Sequence, residues 1–161
     1  YPMQLDETCW FLAIDFDKGK WKEHATAFLK TCDQWKIPAV LARSQSGNGG
    51  HVWIFFEEPI PAYLARKLGC GILTETMNNN HSLGFDSYDR LFPSQDAMPK
   101  GGFGNLIALP LQGQRRKYGN SVFLDSNFEP YEFCPNILFE SLKSFLPLIL
   151  ILAQVRRVGE E

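Results

Sequence analysis

The sequence predicts an α+β domain in which a mostly antiparallel sheet carries its helices on one face. Three observations favour this class. The chain has 161 residues, about the length of one domain, and 45% of them are apolar. Segments with strand and helix patterns follow one another in the order β-α-β-β-α-β-β-β. Two neighbouring strands are separated by a short glycine-rich segment, which is typical of an antiparallel hairpin.

The first half of the chain supplies a strand, a helix and a hairpin. Residues 9–16 are almost continuously apolar, which predicts a buried strand. Apolar side chains then recur every three or four positions, as in an amphipathic helix over residues 20–36, which Pro38 ends. Residues 39–43 and 51–56 predict two strands, and the glycine-rich segment between them predicts their turn.

The second half predicts a further helix, three strands and a helical tail. Pro61 suits the first turn of a helix that runs to about Thr76. The strand predictions fall at residues 87–92, 105–111 and 120–125, and the helical tail at 136–157, interrupted at Pro147. We therefore predict one domain over residues 1–135, with residues 136–161 as its helical C-terminal extension.

Charge and cysteine content narrow the function classes. The 16 Lys and Arg and 18 Asp and Glu residues leave a formal charge of −2, so a nucleic-acid contact would need a local basic stripe. The four cysteines are too far apart for a zinc knuckle or a CxxC redox site, which predicts reduced thiols in a cytoplasmic protein. The most apolar run, residues 145–153, is far shorter than the roughly 20 residues that cross a bilayer.

Asp15 and Asp17 are the first candidate site. Side chains alternate along a strand, so these two carboxylates are predicted to share one face at its carboxyl end. Adjacent carboxylates repel each other unless a cation lies between them, and a divalent cation with oxygen ligands fits that place. The alternative is a solvated strand end followed by a charged turn.

The second candidate is the glycine-rich segment that ends at His51. Gly47, Gly49 and Gly50 would let the backbone approach a ligand closely, with amide donors free to bind an anion. His51 opens the next strand, where it is either a phosphate contact or a half-exposed polar residue.

The third candidate group lies in the later loops. Asp89 or Asp86 could supply another carboxylate, and the nearby basic side chains could bind phosphate. These basic residues are Arg90, Arg115, Arg116 and Lys117. A surface loop with solvated charges is the alternative.

These pieces occur in a known order: a strand ending in two aspartates, a strand preceded by Ser-x4-His, and a third acidic strand. This order resembles the archaeo-eukaryotic primase superfamily. The narrower resemblance is to the primase-polymerase domain of TOTE conflict-system proteins, over about residues 6–133. It rests on the strings FLAIDFD, RSQSGNGGHVWIFFEEPIPA, SYDRLFPSQD, PKGGFGNLIALPLQ and GNSVFLD.

The resemblance implies an RRM-like catalytic sheet and metal-dependent, template-directed transfer of nucleotides from nucleoside triphosphates. Asp15 and Asp17 match the first motif, and His51 matches the second, whose histidine contacts the phosphates of the incoming nucleotide. Asp89 is our choice for the third carboxylate, with Asp86 in reserve. The three carboxylates would form a two-metal site for Mg²⁺ or Mn²⁺.

The remaining expectations concern substrates and partners. Nucleotide contacts are expected from Ser46, Gly47, Asn48, Gly50, His51, Arg90, Asn105, Arg115 and Arg116. The expected partners are a single-stranded DNA template, nucleoside triphosphates and further domains, such as a helicase or nuclease, of a larger bacterial defence or mobile-element protein. The alternative function is a non-catalytic RRM-like module that binds single-stranded nucleic acid.

Overall fold

The computed structural model describes residues 2–17, 19–80, 88–98, 100–102 and 104–131. Their elements are β1 (Thr8–Phe16), α1 (Trp21–Gln34), β2 (Val40–Arg43), β3 (Gly50–Pro61), α2 (Ala62–Asn79), β4 (Arg90–Phe92), α3 (Gly113–Arg116) and β5 (Phe123–Leu124). The predicted tail over 136–157, together with Cys134, His81 and Asp86, lies outside the described residues.

The described strands form one five-stranded sheet in the order β4-β1-β3-β2-β5, and every neighbouring pair is antiparallel. The first six elements follow one another as β-α-β-β-α-β, with β1 and β3 in the centre. This is the split βαβ topology, in which each helix connects two strands that are not neighbours in the sheet. The predicted α+β, RRM-like class is confirmed.

Strand alternation divides the apolar side chains between the two faces of the sheet. On one face α1 and α2 cover the larger core, which includes Ile14, Phe16, Phe28, Ile54 and Ile72. The opposite face carries a smaller cluster of Ala13, Ala42, Trp53, Phe92 and Phe123, against which Ile107 and Leu111 pack. The helices therefore lie on one face, and a coil segment after β4 covers part of the other.

The prediction of a strand over residues 105–111 is wrong. These residues form no ladder with the sheet, although Leu111 donates its amide to the carbonyl of Ser121. Pro110 has no N–H to donate, and Leu111 has a φ of 65°, outside the strand region. Arg115 and Arg116 therefore lie in the short helix α3 rather than in a turn between two strands.

The described cysteines are free thiols, and two of them belong to the core. Burial raises the pKa of Cys9 and of Cys32 to about 12. Since the thiolate is the nucleophilic form, neither residue is a reactive cysteine at neutral pH. In the part of the chain that the structure describes, no helix has the length and hydropathy of a membrane span.

Candidate active site

Asp15 occupies the centre of a row of three side chains that crosses the sheet. Its register partner on β3 is His51, and its register partner on β4 is Arg90. Residues directly opposite one another on antiparallel strands point to the same face. Because Ile14 and Phe16 face the helices, Asp15 and its two partners lie on the opposite face, near the end of β1.

Three carboxylates converge at this end of the sheet. Asp15, Asp17 and Asp89 each offer an oxygen atom, and these atoms lie within 4.8 Å of one another. Asp17 stands two positions after Asp15, directly beyond β1. Asp89 is held beside β1 by its own amide, which donates to the carbonyl of Asp15 at 2.8 Å. The structure thus brings together the three carboxylates that the sequence proposes as metal ligands, and their role as ligands remains a prediction.

Two nitrogen-bearing side chains lie against these carboxylates, and the guanidinium of Arg90 offsets part of their negative charge. The Nε2 atom of His51 lies 3.1 Å from Oδ1 of Asp15, and Nε of Arg90 lies 2.7 Å from Oδ2 of Asp89. The side chains of His51 and Asp15 are only 14% and 18% exposed, which limits the screening of their interaction by water.

The donor set of the cluster fits Mg²⁺ or Mn²⁺. Both ions prefer hard oxygen ligands, and the three residues offer carboxylate oxygens alone. Asp17 and Asp89 are exposed, so water and phosphate oxygens can reach the same point. The cluster is therefore open enough to accept ligands from a substrate as well as from the protein.

The glycine loop, residues 44–50, fills the space beside β1. A Cβ atom on Gly49 would lie 2.8 Å from the carbonyl oxygen of Phe16 and 3.0 Å from Cα of Asp17. A Cβ atom on Gly50 would lie 2.7 Å from the ring of Trp21. These two glycines are needed because the loop packs tightly against its own chain.

The amide groups of Gly47, Asn48 and Gly49 are used within the glycine loop. Gly47 donates to the carbonyl of Ser44, Asn48 donates to Oγ of Ser46, and Gly49 donates to Oγ of Ser44, at 3.2, 3.3 and 3.2 Å. The expectation that these amides are free to bind an anion is therefore wrong. The side chains of Ser46 and Asn48 are exposed on the loop, and their contact with a nucleotide remains a prediction.

The segment over residues 112–121 packs on the other side of the glycine loop. Gly47 has a φ of 83°, and a Cβ atom there would lie 2.8 Å from Oδ1 of Asn120. The side-chain amide of Asn120 donates to the carbonyl of Gln45 at 3.2 Å, and the side chain of Gln45 also bonds to Gln112. The loop thus lies between the end of β1 and the segment that contains Arg115 and Arg116.

Arg43 is a positioning residue that the sequence reasoning missed. Its guanidinium donates to the carbonyls of Gly119 and Phe128, at 2.9 and 2.8 Å, and so ties both to the end of β2. The available signal was an arginine at the end of an apolar strand. Asn105, by contrast, donates to Oγ of Ser94 at 2.6 Å rather than to the carboxylate cluster, and its predicted nucleotide contact remains a prediction.

The comparison with protein families gives one match. The model of the TOTE conflict system, Archaeo-Eukaryotic Primase domain, matches residues 1–144. The matched span contains the carboxylate cluster, His51 and the glycine loop. No curated protein is significantly similar to the chain.

Proposed function

Because the chain belongs to the archaeo-eukaryotic primase domain family of TOTE conflict systems, we propose that it is a metal-dependent, template-directed nucleotidyltransferase. Its substrates are nucleoside triphosphates and a single-stranded DNA template. The observation that carries the proposal is the convergence of Asp15, Asp17 and Asp89 within 4.8 Å at one end of the sheet. An apolar or neutral sheet end would have no means of holding the cations that accompany a triphosphate.

Each group around the cluster has a role in this proposal. When bound, divalent ions supply Lewis-acid activation of the attacking hydroxyl and of the leaving pyrophosphate. Asp15, Asp17 and Asp89 hold those ions. His51 and Arg90 lie beside the carboxylates, where they can balance phosphate charge that develops during transfer.

The non-catalytic RRM-like alternative has less support. Such modules stack single-stranded bases on aromatic side chains of the open sheet face. Here three aromatic residues of that face are covered, since Trp53, Phe92 and Phe123 are 0%, 4% and 8% exposed, and Phe11 and Phe55 on the same face are partly buried. Ile107 and Leu111 pack against them. A base could reach these rings only if the covering segment moved away.

The proposal is tested by template-directed incorporation. The full-length protein is incubated with a single-stranded template, labelled deoxy- or ribonucleotides and Mg²⁺ or Mn²⁺, with and without a primer. We expect products whose sequence is complementary to the template and whose formation stops when the metal is chelated. A folded protein that yields no template-dependent product with either metal would contradict the proposal.

His51→Ala is expected to raise the KM for nucleotide by about 10- to 100-fold, the usual value of a hydrogen bond to a charged group. The dissociation constant for Mn²⁺ should change far less, because the proposed ligands are all carboxylates. Steady-state kinetics and Mn²⁺ titration by electron paramagnetic resonance measure the two effects separately.

His51→Gln is the matched control for that prediction. Glutamine keeps an N–H donor for Asp15 but cannot carry the positive charge of a protonated imidazole. If this variant restores the parent KM, a neutral N–H donor is sufficient at this position and the positive charge of the imidazole is not required. Loss of Mn²⁺ binding in His51→Ala would make the histidine a metal ligand and contradict the assignment.

A further inference from the structure

The segment over residues 112–118, here called the basic tip, is exposed at every position. Arg115, Arg116 and Lys117 place three cations in a row, and Tyr118 follows them with 78% of its surface exposed. Neither Arg115 nor Lys117 takes part in an ion pair identified among the described residues. The tip therefore combines positive charge with an aromatic ring that contributes nothing to the core.

The basic tip is held in a defined conformation despite its exposure. The amides of Tyr118 and Asn120 both donate to the carbonyl of Arg115, at 3.1 and 3.2 Å. Gly119, which has a φ of 70°, turns the chain immediately after Tyr118, and its carbonyl accepts a hydrogen bond from Arg43. A ring fixed on an anchored turn loses less conformational entropy on binding than one on a loose loop.

The tip also adjoins the proposed active site. Asn120, two residues after Tyr118, contacts the glycine loop at Gly47, and Gly49 of the same loop packs on the backbone of Asp17. A polymer that leaves the carboxylate cluster along this side would therefore pass the glycine loop and then meet the tip.

We propose that the basic tip binds the single-stranded template, with the ring of Tyr118 stacked on a base and with Arg115 and Lys117 contacting the flanking phosphates. A tip that offers both an aromatic ring and cations matches a single strand, which offers both bases and phosphates. A nucleoside triphosphate whose phosphates lie at the carboxylates has only one base. A template strand has further bases, one of which can reach this ring. The proposal rests on the proposed function, which supplies the template.

The stacking contact is tested by binding alone, without catalysis. Fluorescence anisotropy of a labelled single-stranded DNA of about 16 nucleotides, in the absence of nucleotides, gives the dissociation constant. Tyr118→Leu is expected to weaken binding by about 5- to 100-fold, the range for loss of one stacked base. Tyr118→Phe keeps the ring and should bind like the parent.

Tyr63→Leu is the matched surface control. Tyr63 is 44% exposed on α2, and its ring also has a cation nearby, since Nζ of Lys67 lies 5.7 Å from the ring centroid. It stands on the helical face of the sheet, so its replacement should leave DNA binding unchanged. Equal weakening in the Tyr63 and Tyr118 variants would show a nonspecific surface effect and overturn the proposal.

The contribution of Arg115 and Lys117 is tested separately, by the salt dependence of DNA binding. Each phosphate contact on a single strand contributes about 0.7 to the slope of log affinity against log salt concentration. Arg115→Gln combined with Lys117→Gln should lower that slope by about 1.4, whereas Tyr118→Leu should leave it unchanged. A parent-like slope in the double variant would overturn the assignment of these two side chains to phosphates.

The outcomes separate this inference from the proposed function. If Tyr118→Leu binds DNA like the parent while template-directed incorporation is observed, the tip assignment is wrong and the function stands. If Tyr118→Leu binds DNA weakly but the parent incorporates no nucleotide, the tip binds single-stranded DNA that is not a template, and the proposed function is wrong. Weaker binding of free nucleoside triphosphate, with DNA binding unchanged, would place the tip in the nucleotide subsite and overturn the inference.

Discussion

Replacing Asp15 with asparagine is expected to reduce nucleotide incorporation by at least about 100-fold, the scale on which loss of one electrostatic group acts in an active site. Asparagine has the size and shape of aspartate and keeps an Oδ1 atom beside Nε2 of His51, so the local packing is preserved. It removes one of the three negative charges with which Asp15, Asp17 and Asp89 would bind a divalent cation. Binding of Mn²⁺ should weaken together with incorporation.

The stability of this variant should stay close to that of the parent. The three carboxylates repel one another when no cation is bound, so the loss of one charge costs the fold little. Thermal unfolding of both proteins, with and without Mn²⁺, measures this. We expect Mn²⁺ to raise the melting temperature of the parent more than that of the variant, because binding to the folded state alone is stabilising.

Asp96→Asn is the matched control for Asp15→Asn. Asp96 is also a carboxylate with a nitrogen partner, since one of its oxygens lies 3.0 Å from Nε of Arg66, but it lies outside the carboxylate cluster. This control should incorporate nucleotides like the parent. If Asp15→Asn incorporates nucleotides and binds Mn²⁺ as well as Asp96→Asn does, Asp15 is no metal ligand.

The parts of the site that sequence predicts best are those governed by local periodicity. The alternation of side chains along residues 9–16 is enough to place Asp15 and Asp17 at one end of one strand. The glycine-rich segment also correctly predicts the hairpin of β2 and β3. Each of these inferences needs only a few neighbouring residues.

Contacts that depend on the order of the strands in the sheet could not be predicted from local periodicity. The pairing of Asp15 with His51 joins positions 36 residues apart and requires β3 to lie beside β1 in one particular register. Likewise, the apolar pattern of residues 105–111 resembles a strand, but Ile107 and Leu111 pack against Trp53 and its neighbours from a coil segment, while Leu106 and Leu109 are exposed. An apolar run alone does not distinguish a strand of the sheet from a coil that packs on it.

The glycine loop illustrates a further limit. Glycine-rich composition indicates that the backbone must come close to something, but it does not identify what. Sequence reasoning assigned that role to a phosphate, whereas Gly49 packs on the backbone of Phe16 and Asp17. The loop can still serve the reaction, because it supports the strand end that carries a proposed metal ligand.

Gly49→Ala is therefore expected to damage both stability and activity. The added Cβ atom would lie 2.8 Å from the carbonyl oxygen of Phe16, and a backbone atom cannot rotate away as a side chain can. Overpacking of this kind costs about 1–3 kcal/mol of folding free energy. If the strain is relieved by displacing Asp17 by about 1 Å, incorporation should fall by about 100-fold.

Gly71→Ala tests whether this effect is specific to the contact. Gly71 lies in α2, on the helical face of the sheet, and a Cβ atom there would make only ordinary contact, at 3.9 Å, with the ring of Trp35. Urea unfolding, Mn²⁺ titration and incorporation are compared for the two alanine variants. We expect Gly71→Ala to be at least as stable and active as the parent, and Gly49→Ala to lose stability, metal affinity and activity together. Since the carboxylates themselves are unchanged, that joint loss would mean that the glycine loop positions Asp17; equal behaviour of the two variants would contradict it.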